Sequence, residues 1–170
     1  MKRLTLFLLA VLMSAIAFAQ NPPGGYGPTA AITLQTATVT LTSAQILNLA
    51  ATPITIVPAP GSNKTILLNN VLAHYRYNST AYTINGAGGN FLIGFPGVTS
   101  SAYLTILGQT TFIDQTSDHY LQSLAGGIAA FSASEQVNQP LQITVDNDPT
   151  LGNGTVTLTI LYSVVNTTVQ

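Results

Sequence analysis

The 170-residue chain offers few side chains able to do chemistry, and their spacing limits what each could do. The most suggestive group is Asp146-Asn147-Asp148, two carboxylates and an amide in a row, with Thr150 as a further oxygen. Closely spaced oxygen ligands suit a hard cation such as calcium. The EF-hand pattern fails downstream, because Leu151 stands where its glycine is required and Thr157 where its bidentate glutamate belongs. Asp-Asn-Asp-Pro between two strands also forms Asx turns without any ion. Asp146, Asp148 and Thr150 are therefore a cation candidate, with a plain turn as the competing reading. Asp118-His119 and a nearby serine have the membership of a hydrolytic triad, but no G-x-S-x-G elbow occurs. On the short helix expected there, neighbouring side chains diverge, and no catalytic residue is assigned. His74 and His119 are the only imidazoles and fall in no H-x-H or H-E-x-x-H pattern. Without cysteine there is no thiolate ligand, no disulfide and no cysteine nucleophile. The glycine-rich run at 86–89 leads into Phe91-Leu92-Ile93, which reads as a strand. No helix N-terminus follows it, so it is a hairpin loop rather than a phosphate cradle. No enzyme and no cofactor are expected.

His74-Tyr75-Arg76-Tyr77 is the remaining group. On a strand, Tyr75 and Tyr77 share one face while His74 and Arg76 share the other. A two-tyrosine face packs into a core, fills a subunit interface or stacks on a sugar. Tyr75 and Tyr77 are accordingly the candidate interface or ligand residues. Four N-x-S/T sequons, at Asn63, Asn78, Asn153 and Asn166, are of the kind chance supplies in a chain rich in Asn and Thr.

Charge is scarce. Lys2 and Arg3 precede an apolar run over residues 4–16, and Ala17-Phe18-Ala19 supplies a small-x-small cleavage pattern. The run is shorter than the roughly 20 residues a membrane span requires, and no other stretch approaches that length. Residues 1–19 thus read as a signal peptide cleaved near Ala19, which implies a secreted, extracellular or periplasmic protein without a transmembrane segment. Cleavage leaves Lys64 and Arg76 as the basic residues, against five acids. Two scattered cations cannot release the counterions of a nucleic acid, so that partner is excluded. A surface with so little charge repels its neighbours weakly, and the chain itself is the expected partner, as an oligomer or polymer.

The elements that must carry these residues are strands. Residues 20–33, with NPPGGYGP at 21–28, form a flexible segment without apolar periodicity, expected to reach a neighbouring subunit. From there Thr36, Thr38 and Thr40 alternate with Ala37, Val39 and Leu41. Leu141, Ile143 and Val145 alternate with Gln142 and Thr144, and Val156, Leu158, Ile160, Tyr162 and Val164 with Thr and Ser. Further strands are expected over 54–57, 65–77, 91–94 and 103–107, with a bulge at Asn69-Asn70. Thr42 to Gln45 has capping-box spacing for one short helix, and residues 117–124 read as a second, ended by Gly126-Gly127. Many short strands between turn signals predict an all-β fold, an antiparallel β-sandwich or jelly roll with one or two short helices over residues 34–170.

The stretch VTLTSAQILNLAATPITIVPAPGSNKTILLNNVLAHYRYNSTAYTINGAGGNFLIGF, with the closing LTILYSVV, resembles a family of small β-rich structural proteins of bacteriophage and prophage type. Residues 52–64 and 79–83 carry most of that likeness. The resemblance implies a non-catalytic, assembling virion or surface component. The signal peptide departs from the family pattern and points to an exported relative. Three functions therefore stand open. The first is a secreted structural protein that self-assembles into a fibre, coat or matrix. The second is a β-sandwich module binding a carbohydrate or cell-surface receptor, and the third a phage virion component.

Overall fold

A computed structural model of the protein describes residues 32–85, 89–97, 104–124 and 136–167. The expected signal peptide, residues 20–31, the loop at 86–88 and Gly126-Gly127 lie outside the described residues. Among the described residues eight strands follow one another: β1 (Leu34–Leu41), β2 (Ile54–Val57), β3 (Lys64–Arg76), β4 (Asn90–Gly94), β5 (Thr105–Gly108), β6 (His119–Leu124), β7 (Leu141–Val145) and β8 (Thr155–Asn166). They pair antiparallel in two four-stranded sheets, of order β1-β8-β3-β6 and β2-β7-β4-β5.

That order has a simple origin. The pairs β1/β8, β2/β7, β3/β6 and β4/β5 are nested, as in one long hairpin folded back on itself. Rolling the hairpin up puts alternate pairs in opposite sheets and adds the β3/β8 and β4/β7 contacts. This is the jelly-roll form of the β-sandwich, as the alternating patterns predict. β1 lies against β2 at one side of the sandwich, and β6 against β5 at the other.

Alternation places the core between the sheets. Val156, Leu158 and Ile160 of β8, with Ile66, Val71, Ala73 and Tyr75 of β3, face Leu141, Ile143 and Val145 of β7 and Phe91 and Ile93 of β4. Leu41, Ile46 and Leu49 close the end beside β1, all fully buried. A bulge interrupts the β3/β8 register between Leu68 and Asn70, where the Asn pair breaks the longest apolar run. It lets a thirteen-residue strand bend across the sandwich without leaving its partner.

The capping box forms as predicted: the Thr42 hydroxyl accepts the Gln45 N–H, and the Gln45 side chain accepts the Thr42 N–H at 2.9 Å. The helix it starts, α1 (Ser43–Ile46), is a single turn. The second expected helix is a correction, because residues 119–124 form strand β6. The apolar offsets of Tyr120, Leu121 and Leu124 fit a helix locally. The free side of β3 offers a ladder from Asn70↔Leu124 to Tyr75↔His119, and that pairing outweighs weak local propensity. Among the described residues no helix is long and apolar enough to cross a membrane.

Candidate functional site

Strand parity and two side-chain caps decide where each sequence-predicted residue ends up. Tyr75 points inward from β3 and is fully buried. Its ring meets Tyr82 and Phe112 edge-on, at centroid separations of 6.1 and 6.0 Å. Gly154 lies against it so closely that an added Cβ would come within 2.4 Å of the Tyr75 ring and 2.6 Å of the Arg76 carbonyl. Burial, reinforced by Tyr77 and by the negative charges of Asp118 and Asp114, pushes the Tyr75 hydroxyl from 10.0 up to about 12. Tyr75 is therefore part of the core. Tyr77, at the end of the same face, is half-buried. It lines a polar concavity of about 380 Å³ together with Arg76, Asn78, Asn153, Gly154 and Thr155.

Asp146, Asp148 and Thr150 each have partners on different segments. Asp146 accepts the Asn90 backbone N–H at 2.7 Å and the Asn90 side-chain amide at 2.8 Å, which ties the end of β7 to the start of β4. Asp148 accepts the Ala50 N–H at 2.8 Å, on a different segment. Thr150 pairs with Thr83 through two backbone hydrogen bonds of 2.8 Å. The two carboxylates act as caps on separate stretches of backbone. Among the described residues no three His, Asp or Glu side chains group as metal ligands would. Asn153 of the third sequon works in the same way. Its side-chain oxygen accepts the N–H groups of Ser79 and Thr80, each at 3.0 Å, and its amide donates to the Ser79 hydroxyl.

The histidines take different roles. His74, on the outer face of β3, stacks flat on Tyr120 directly across in β6, with centroids 4.2 Å apart and planes 6° from parallel. Its Nε2 lies 3.8 Å from an Asp118 oxygen, and the other Asp118 oxygen accepts the Tyr77 N–H at 2.9 Å. His119 points elsewhere, with Nε2 3.2 Å from the Ser117 hydroxyl. Asp118 and His119 thus belong to separate contacts.

What sequence reasoning missed is the surface these residues share. Thr36, Thr38 and Thr40 of β1 lie beside Leu161, Thr159 and Thr157 of β8, and these beside Asn70, Leu72 and His74 of β3. The Thr40 and Thr157 hydroxyls are 3.0 Å apart. A shallow depression of about 260 Å³ crosses this outer face over Thr36, Asn70, Leu72, Gln122, Thr159 and Leu161. The four strands contain two charged residues, Lys64 and Arg76, at the opposite ends of β3. The signal that could have found this face was the threonine alternation of β1 and β8 read together. The missing link is β6, because the apolar offsets of residues 117–124 place Tyr120 and Gln122 on a helix.

The strand order defines the class, an eight-stranded jelly-roll β-sandwich. Comparison with family models and with curated proteins gives no match. Among solved structures the chain is similar to a chain of the cyanophage Pam1 capsid asymmetric unit, at 16% identity and a TM-score of 0.40, over 88% of this chain and 95% of that one. It is also similar to a chain of the acid-stable capsid of Helicobacter pylori bacteriophage KHP30, at 11% identity and a TM-score of 0.29, over 78% of this chain and 97% of that one.

Proposed function

We propose that this protein is a non-enzymatic structural subunit that assembles with copies of itself into a coat or shell, of the general kind to which the two capsid structures belong. Jelly rolls also serve lectins and enzymes, so the fold does not choose among these roles. The observation that carries the reading is the outer side of the β1-β8-β3-β6 sheet. Among the described residues it collects four of the six exposed large apolar side chains, Leu34, Leu67, Leu72 and Tyr120. Between them stand threonines and amides, with Asp118 beside His74 at the β6 side as the acid nearest to them. An exposed face of this composition is suited to burial against protein, since its charges stand at its margins, Asp118 beside His74 and Lys64 and Arg76 at the ends of β3, and covering its middle desolvates few of them.

Sedimentation of the purified protein across a concentration series tests the reading, with electron microscopy of the heaviest species. The expected result is a defined oligomer or polymer whose formation changes little with salt, because few charges take part. A monomer at the highest concentration overturns the reading and favours the carbohydrate- or receptor-binding alternative. Export is part of the proposal and rests on Ala17-Phe18-Ala19. N-terminal sequencing is expected to begin at Gln20. Recovery of intact Met1 moves assembly inside the cell, where a phage coat is built.

A further inference from the structure

The sandwich has four edge strands, and three of them carry features that discourage further pairing. β2 and β5 are four residues long; β2 is bulged between Thr55 and Val57 and stands between Pro53 and Pro58. β6 has six residues and begins at His119, beside Asp118. β1 differs from all of these. Its eight residues, LQTATVTL, contain no charge, no proline and no glycine. They pair with β8 in unbroken register from Leu34↔Ser163 to Leu41↔Val156. Along the other side of β1 no strand is paired among the described residues. Half of its backbone N–H and C=O groups therefore point away from the sheet over a length of about 27 Å, the template that natural edges normally block.

We propose that this edge pairs with β1 of a second copy, antiparallel about a twofold axis, so that two four-stranded sheets become one of eight strands. The proposal rests on the assembly reading above and names the surface that serves it. Opposed residues in an antiparallel ladder share a face, so partner numbers must have the same parity. Centring the axis on Thr38 places Thr38 opposite Thr38, Thr36 opposite Thr40, and Ala37 opposite Val39 of the second copy. The outer face then carries a row of four threonines, Thr159 and Thr38 from each copy, which extends the Thr40–Thr157 hydroxyl pairing already present. On the inner face the half-buried Ala37 and Val39, already packed on the core, close over each other. The occupant is a second copy because the edge is complementary to itself and β1 carries no charge. The sheet's charged residues are on β3, which β8 separates from β1. A paired edge is isologous and closes at two, leaving the open outer face for contacts that build a larger assembly.

Charge reversal at the axis tests this, because Thr38 is exposed and tolerates a charged side chain in the folded subunit. Thr38→Lys and Thr38→Glu each set like charges opposite one another. Each is expected to weaken dimerisation by more than about tenfold, with a cooperative melt retained. An equimolar mixture of the two variants restores the dimer through Lys–Glu pairs, now with a clear salt dependence. Deleting residues 20–31 leaves the dimer intact. Wild-type association unchanged by either substitution overturns the edge assignment while leaving the assembly reading in place. Loss of the dimer on deleting 20–31, with the Thr38 variants unaffected, transfers the contact to the N-terminal segment and also overturns it. A wild-type monomer overturns the assembly reading itself.

Discussion

The two sheets of this molecule face each other across one core, yet they are built on different scales. The β1-β8-β3-β6 sheet has strands of eight, twelve, thirteen and six residues, whereas those of the β2-β7-β4-β5 sheet have four or five. Their outer faces differ as well. Leu72 points outward from the long sheet and is 41% exposed, whereas Leu92 points outward from the short sheet and is 3% exposed. On the short sheet Leu92 is covered on its outer side, whereas Thr55 of the same sheet is exposed and Gln142 and Thr144 are half-buried. The long sheet commits one side and leaves the other, with its β1 edge, to the surroundings. The difference teaches that, among the described residues, the exposed large apolar side chains are gathered mainly on one sheet, four of the six, Leu34, Leu67, Leu72 and Tyr120, lying on the long sheet's outer side.

The widest separation is expected between the two sides of one strand. Ile160 of β8 is fully buried between the sheets, and its neighbour Thr159 lies on the open face. Ile160→Asp puts an unpaired carboxylate in the core, at a cost of several kcal/mol, about the whole stability of a small domain. Thr159→Asp leaves the subunit folded with a change of about 1 kcal/mol or less, and its effect appears in assembly instead. Urea denaturation of the two variants checks this. Equal tolerance would break the assignment of faces.

A smaller effect separates the two outward leucines. Leu92→Ala is expected to cost about 2–4 kcal/mol, since a buried leucine leaves a cavity. Leu72→Ala is expected to cost less than about 1 kcal/mol of subunit stability while weakening association. Thermal melts of dilute protein read the first quantity, and sedimentation the second. A Leu72 variant as unstable as the Leu92 variant would show that the long sheet's outer face is committed inside the subunit after all.

Much of this division was legible in the sequence, and the exceptions have particular causes. The alternation in β1, β7 and β8 gave their inward residues correctly, and Asn69-Asn70 marked the bulge. Thr42 and Gln45 marked the capping box because each member of that motif is local. β6 was hidden because a six-residue edge strand owes its conformation to β3, about fifty residues earlier in the chain. The polar residues failed for a related reason. Asp146 and Asp148 look like ligands in sequence, but their partners, Asn90 and Ala50, are backbone groups brought near only by the rolled hairpin. Tyr75 and Tyr77 share a face as parity requires. Parity says nothing of depth, and the one nearer the middle of the sheet became core.

The finest form of the contrast between committed and uncommitted groups lies inside the core, between two tyrosines. The Tyr82 hydroxyl donates to the Gly154 carbonyl at 2.7 Å, whereas the buried Tyr75 hydroxyl has no hydrogen-bond partner among the described residues. Tyr82→Phe strands that carbonyl and is expected to cost about 1–2 kcal/mol. Tyr75→Phe removes a polar atom that gains nothing from burial, and is expected to stabilise the subunit by up to about 1 kcal/mol. The two substitutions thus have opposite signs at neutral pH. Alkali adds a second readout. Burial raises both hydroxyls, Tyr75 from 10.0 to about 12 and Tyr82 further. A group whose folded value is raised binds its proton more tightly in the folded state. Its contribution is fully present below pH 10 and is lost as pH rises from there through its folded value. Wild-type stability is therefore expected to fall from about pH 10 upward, and each Phe variant to fall less steeply, in urea titrations at pH 8 to 11.5. A Tyr75→Phe variant as destabilised at pH 7 as Tyr82→Phe would show that the Tyr75 hydroxyl has a partner in solution.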